Sequence, residues 1–125
     1  MKLSPASSAT LAGIVDAMLV TAFVLIGRAS HHEGPLGTLV TLWPFLVGLA
    51  AGWIGMRAWR TPFRLRWTGI MLWAATVVIG LLLRVVSGQG VQTAFVIVTM
   101  IVLALFLLGW RAGLILVARG RSRRA

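Results

Sequence analysis

The chain has no cysteine. That excludes disulfides, iron–sulfur clusters, thioether-linked haem and a cysteine nucleophile. Carboxylates are nearly as scarce: Asp16 and Glu33 stand against 12 lysines and arginines. No paired carboxylates, no Ser-His-Asp set and no metal-ligand constellation stand out. An enzyme, including one acting on lipid, is therefore not expected, and neither is a metal or other cofactor. Charge of either sign is thin at 11% of residues, where a soluble domain carries about a quarter. No clear internal repeat appears, which argues against an inverted-repeat transporter within one chain.

What the chain has instead is apolar length. Hydrophobic residues make up 59% of its 125 positions, gathered into four runs. The runs predict helices at about 9–28, 36–57, 68–86 and 93–112, in one domain covering 1–125. Each is long enough to cross about 30 Å of hydrocarbon as a helix. Runs so uniformly apolar are not strands, and no alternating polar pattern suggests a barrel. The expected fold is all-α, an integral membrane bundle of four transmembrane helices. The connections are short, and the one at 87–93 reads Ser-Gly-Gln-Gly-Val-Gln-Thr, rich in turn formers. The basic tail 119–125 is expected to be partly disordered.

A net charge of +10 invites a nucleic-acid reading, but the placement of the charges argues against one. They sit at the ends of apolar runs, as in membrane proteins. Four spans put both tails and the connection at 57–67 on one side. That side holds Lys2, Arg57, Arg60, Arg64, Arg66, Arg111, Arg119, Arg121, Arg123 and Arg124, against Arg28 and Arg84 on the other. Basic residues stay cytoplasmic, so both termini are expected inside. Trp53, Trp59, Trp67 and Trp110 fall near the same interface, where indoles settle. The arginine-rich side would also touch anionic lipid. Reading the first run as a cleaved signal peptide fits Lys2 and Ala29. Asp16 and the length of the run argue against it.

Several residues occur together in a telling order. Asp16, Phe23, Gly27-Arg28 and Ser30-His31 close the first run, and Trp43-Pro44-Phe45 with Gly48 and Gly52 marks the second. Trp73, Gly80, Arg84 and Gly88-Gln89-Gly90 mark the third. Phe95 and Phe106-Leu107-Leu108-Gly109-Trp110-Arg111 mark the fourth. From Asp16 to Arg111 the chain resembles the prokaryotic small membrane-protein family called domain of unknown function 3054. His32 and the arginine-rich tail do not match the family pattern. The resemblance implies four helices in a prokaryotic plasma (inner) membrane, multi-pass, and carries no activity with it.

Asp16 is the most informative residue. At about 1.5 Å per residue it lies roughly 12 Å into the first run. An ionised carboxylate there costs about 2.5–3.5 kcal/mol on insertion scales. Thr76 lies at a similar depth and is a candidate hydrogen-bond donor. Arg111 is nearer the cytoplasm but has a long side chain. The three form a candidate intramembrane polar site, read either as a proton or cation site or, preferably, as a structural clamp between helices. Asp16, Val20, Phe23, Gly27 and His31 recur at helical spacing, so they share a face, and its apolar members favour packing over a wet path.

A second candidate site, on the outer face, comprises Arg28, His31, Arg84 and Gln89. His31, His32 and Glu33 are adjacent, and neighbours on a helix point about 100° apart, so they converge poorly on one ion. Arg84 is expected to snorkel to headgroups, with an anion contact beside the 87–90 turn as the sharper alternative. Pro44 should kink the second helix. Gly48, Gly52 and Gly55 offer small residues for close helix packing, within the chain in preference to another copy.

Two functions follow. The first is a non-enzymatic structural or accessory bundle, acting as a homo-oligomer or in a larger membrane complex. The second is an oligomeric small transporter or channel subunit that uses Asp16. Antiparallel assembly would need balanced positive charge on the two faces, which ten against two does not provide.

Overall fold

In the computed structural model the chain is all-helical, and residues 4–28, 35–89 and 92–124 are described. Four long helices follow in order: α1 (Pro5–Arg28), α2 (Pro35–Gly55), α3 (Ile70–Val86) and α4 (Thr93–Arg124). A 3-10 turn at Ala58–Arg60 and a π-helical turn at Leu65–Gly69 lie between α2 and α3. All four helices are long and apolar enough to cross a membrane, α3 together with the π-helical turn before it as Leu65–Val86.

The ends of the helices have local causes. The first begins four residues before the apolar run. Ser4 caps it by accepting the Ser7 N–H on its hydroxyl at 3.1 Å, and Pro5 occupies the first helical position, where no N–H is needed. Arg57, in the left-handed region with φ 54°, turns the chain away after α2. After α3 the Ser87 and Gln89 N–H groups donate back to the Leu83 and Arg84 carbonyls, each at 2.9 Å. Gly88, at φ 81°, supplies the positive angle this ending requires. The basic tail, expected from the sequence to be partly disordered, continues α4 as helix through to Arg124. The stretch 114–119 continues the row of good helix formers without a proline, and arginines at a helix C-terminus favour its dipole.

The pattern of burial is inverted relative to a water-soluble domain. Asp16, Thr68, Thr76, Thr99 and Arg111 are buried, while Met18, Ile54, Leu105 and Leu116 are two-thirds exposed. Such an apolar exterior suits an apolar solvent, in keeping with the membrane-crossing length of the helices. Inside, Val20, Phe23, Leu42, Phe45, Leu72, Leu103 and Leu107 form one continuous core. Phe45 is central: its ring meets Phe23 edge-on at 5.6 Å and Phe95 at 6.1 Å.

The most extensive helix pair is α2 with α3, and small residues make it possible. A Cβ on Gly48 would lie 3.1 Å from the Thr76 carbonyl oxygen and 3.2 Å from the Gly80 nitrogen. One on Gly52 would lie 2.9 Å from the Ala75 Cβ. Gly80 answers from α3, where an added Cβ would come within 2.5 Å of the Phe45 ring. Gly55 differs from its partners in the glycine series, since nothing lies within 4 Å of its Cβ position. Pro44, fully buried inside α2, removes the donor that the Val40 carbonyl would otherwise use.

Gly80→Ala is expected to lower the thermal unfolding temperature in detergent, at a cost of about 1–3 kcal/mol from overpacking against Phe45. Gly55→Ala should leave it unchanged or raise it, because alanine is the better helix former by up to about 1 kcal/mol.

Candidate functional site

Asp16 lies near the middle of α1 and is fully buried. A carboxylate in such surroundings needs its charge met and its lone pairs filled. Arg111 of α4, also fully buried, does most of this. Its Nη1 donates to Oδ1 at 2.8 Å and its Nη2 donates to Oδ2 at 2.7 Å, a two-pronged ion pair. Two indoles supply the rest. Trp110 Nε1 donates to Oδ1 at 2.9 Å, and Trp53 Nε1 of α2 donates to Oδ2 at 3.0 Å. Each carboxylate oxygen therefore accepts two hydrogen bonds.

The guanidinium is anchored as fully as the carboxylate. Its Nε donates to the Pro62 carbonyl at 2.9 Å, and Nη1 donates also to the Leu107 carbonyl, one turn back on α4, at 3.0 Å. The guanidinium carbon lies 4.6 Å from the Trp110 ring centroid, and Phe63 meets that ring edge-on at 5.9 Å. Gly69 allows the start of α3 to approach here. A Cβ on it would fall 3.3 Å from the Arg111 Cδ and 2.9 Å from the Leu108 Cδ2. Gly13, one turn before Asp16, faces the Trp53 indole, which would lie in ordinary contact, 3.8 Å, from an added Cβ.

Pro62 is brought to this point by the connection between α2 and α3. The Thr61 and Thr68 hydroxyls bond each other at 2.8 Å, and the Thr68 hydroxyl also donates to the Thr61 carbonyl. The Gly69 N–H donates to the Arg64 carbonyl at 2.9 Å, closing the π-helical turn. The connection thus folds over one end of the bundle and presents a carbonyl to Arg111. One polar centre ties α1, α2, α4 and this connection together.

The expected trio of Asp16, Thr76 and Arg111 is thus only two-thirds assembled. Thr76 is buried, but its hydroxyl donates to the Leu72 carbonyl of its own helix at 2.7 Å, and its backbone faces Gly48. A similar depth along the helices did not bring it to Asp16. The helix-one stripe packs inward at Asp16, Val20 and Phe23, and ends at an exposed Gly27. Trp53 and Trp110, read from the sequence as interface anchors, act as donors to Asp16. The available signal was the Trp110-Arg111 doublet closing the fourth run opposite the one acid within any run.

At the other end, the structure brings Arg84 and Gln89 together. Arg84 Nη1 donates to Gln89 Oε1 at 3.0 Å, Gln89 Nε2 donates to the Ser87 hydroxyl at 3.0 Å, and the Arg84 guanidinium lies 4.4 Å from the Phe95 ring centroid. His31, His32, Glu33 and the Arg28 side chain lie outside the described residues. Among the described residues no cluster of three metal-binding side chains occurs.

Chemically, the Asp16 centre is closed. A proton, cation or substrate reaching the carboxylate would have to displace one of four donors. These features define a class: a bundle of four helices of membrane-crossing length, tied internally by one saturated arginine–aspartate pair. The chain belongs to the family described as "Protein of unknown function (DUF3054)", whose model matches residues 13–114. That match includes Asp16, Trp53, Pro62, Trp110 and Arg111. No curated protein and no solved structure matches the chain.

Asp16→Asn is expected to lower stability by about 3–5 kcal/mol, because Arg111 keeps a buried charge without its counter-charge. Replacing both partners by apolar residues, as in Asp16→Leu with Arg111→Leu, should recover a large part of that loss. Thermal unfolding in detergent of Asp16→Leu, Arg111→Leu and the double variant measures the difference, and additive losses would contradict the pairing.

Proposed function

We propose that the chain is a non-enzymatic structural or accessory membrane bundle, lying in the prokaryotic plasma membrane with both termini cytoplasmic. The observation that carries this reading is the saturated carboxylate. Asp16 is the one acid among the four membrane-length helices, and its oxygens accept four hydrogen bonds from Trp53, Trp110 and Arg111. A transport site must exchange its partners during each cycle, and a catalytic base must have a lone pair to offer. A carboxylate locked by a two-pronged ion pair and two indoles suits a clamp. The orientation is supported by nine basic residues on one side of the spans, the buried Arg111 aside, against two on the other. The exposed apolar faces of all four helices leave surface for lipid, for further copies of the chain or for a larger membrane complex.

Reporter fusions placed after His32 and after Arg64 should report opposite compartments, with Arg64 inside. Proteoliposomes carrying the wild-type chain should show proton and cation flux equal to that of empty liposomes. A flux that disappears in Asp16→Asn would overturn the proposal in favour of a transporter or channel subunit.

A further inference from the structure

A groove of about 710 Å³ opens between the α2–α3 connection and the last turns of α4. Phe63, Leu65 and Ile115 line it, and its exposed surface is mostly apolar. Three further lining residues are arginines, Arg64, Arg66 and Arg119, all exposed. An apolar trough carrying three cations calls for an occupant that is itself long, apolar and anionic at one end.

The chain's own carboxylates do not meet this need. Asp16 is filled by its four donors. Among the described residues there is no other carboxylate side chain, so an occupant for the groove is sought outside the chain. The place of the groove says from where. At 32 residues α4 spans about 48 Å, well beyond the roughly 30 Å of a hydrocarbon layer. The groove lies against that helix's last third, where Leu114, Leu116 and Val117 are exposed among the arginines. Resting on the proposed bilayer placement, this is headgroup level.

We infer that the groove is a binding site for an anionic phospholipid, with the phosphate held by Arg64, Arg66 and Arg119 and an acyl chain lying along Phe63, Leu65 and Ile115. The guanidinium groups match phosphate geometry, and the apolar lining gives the chain a path continuous with the outer face of α4.

Native mass spectrometry of the full-length protein in neutral detergent tests this, with phosphatidylglycerol or phosphatidylcholine of identical acyl chains added. Phosphatidylglycerol should be retained about tenfold or more over phosphatidylcholine, given three arginines near one phosphate. The triple variant Arg64→Gln, Arg66→Gln, Arg119→Gln should lose that preference. The equally discharged Arg57→Gln, Arg60→Gln, Arg121→Gln variant, altered outside the groove, should keep it. Ile115→Trp, which narrows the trough without changing charge, should also weaken retention of the lipid. If the triple variant fails to fold, Arg64→Gln, Arg66→Gln and Arg119→Gln singly should each lose part of the preference. Equal retention of the two lipids, equal loss in both triple variants, undiminished retention by Ile115→Trp, or displacement by inorganic phosphate alone would each overturn the assignment. Because the measurement is made in detergent, its failure leaves the orientation read by the reporter fusions standing.

Discussion

A carboxylate among apolar side chains must find a counter-charge and a donor for each lone pair, or the arrangement that buries it does not persist. Asp16 is such a group, and the rest of the structure is arranged around it. Arg111 reaches it from α4, Trp53 from α2 and Trp110 from beside Arg111. The Pro62 carbonyl then holds the arginine from the side of the α2–α3 connection. Any rotation of α1 or α4 about its axis that parts Asp16 from Arg111 leaves two bare charges in an apolar interior, at several kcal/mol per ion. The pair thereby selects one arrangement of helices whose outer surfaces, being uniformly apolar, discriminate little between arrangements.

The other half of the bundle is held by shape. Between helices surrounded by apolar solvent, association rests on close packing and hydrogen bonds more than on the exclusion of water. Gly48 and Gly52 let the α3 backbone approach, and Gly80 admits the Phe45 ring in return. Phe45 then joins Phe23 of α1 and Phe95 of α4. A polar clamp toward one end and an aromatic cluster toward the other divide the work. Both lie on the inward stripe of α1, where Asp16 and Phe23 are two turns apart.

Much of this is legible in the sequence. The importance of Asp16, the reach of Arg111 and the close approach at Gly48 and Gly52 follow from residue type and spacing. Thr76 shows the limit of such reasoning. Equal depth in two helices says nothing about which way each side chain points, and its hydroxyl satisfied itself on the Leu72 carbonyl one turn back. Gly55 shows the same limit, being spaced like a packing glycine but standing at an open position. Trp53 and Trp110 carry an apolar body and one polar edge, so a place near an interface suited them equally well in the absence of a visible acceptor. The Pro62 carbonyl was beyond reach altogether, since any backbone carbonyl is chemically the same until a fold aims it.

The sequence by itself determined the number of membrane-length helices, because apolarity and length are properties of contiguous residues. It determined the family as well, and the fact that a buried acid would need an answer. Only the tertiary structure decided that Arg111, and not Thr76, gives that answer, and which indoles complete it. It also decided that the last arginines extend a helix. Those outcomes depend on the rotation of four helices about their own axes and on the path of one connection, and no local pattern encodes either.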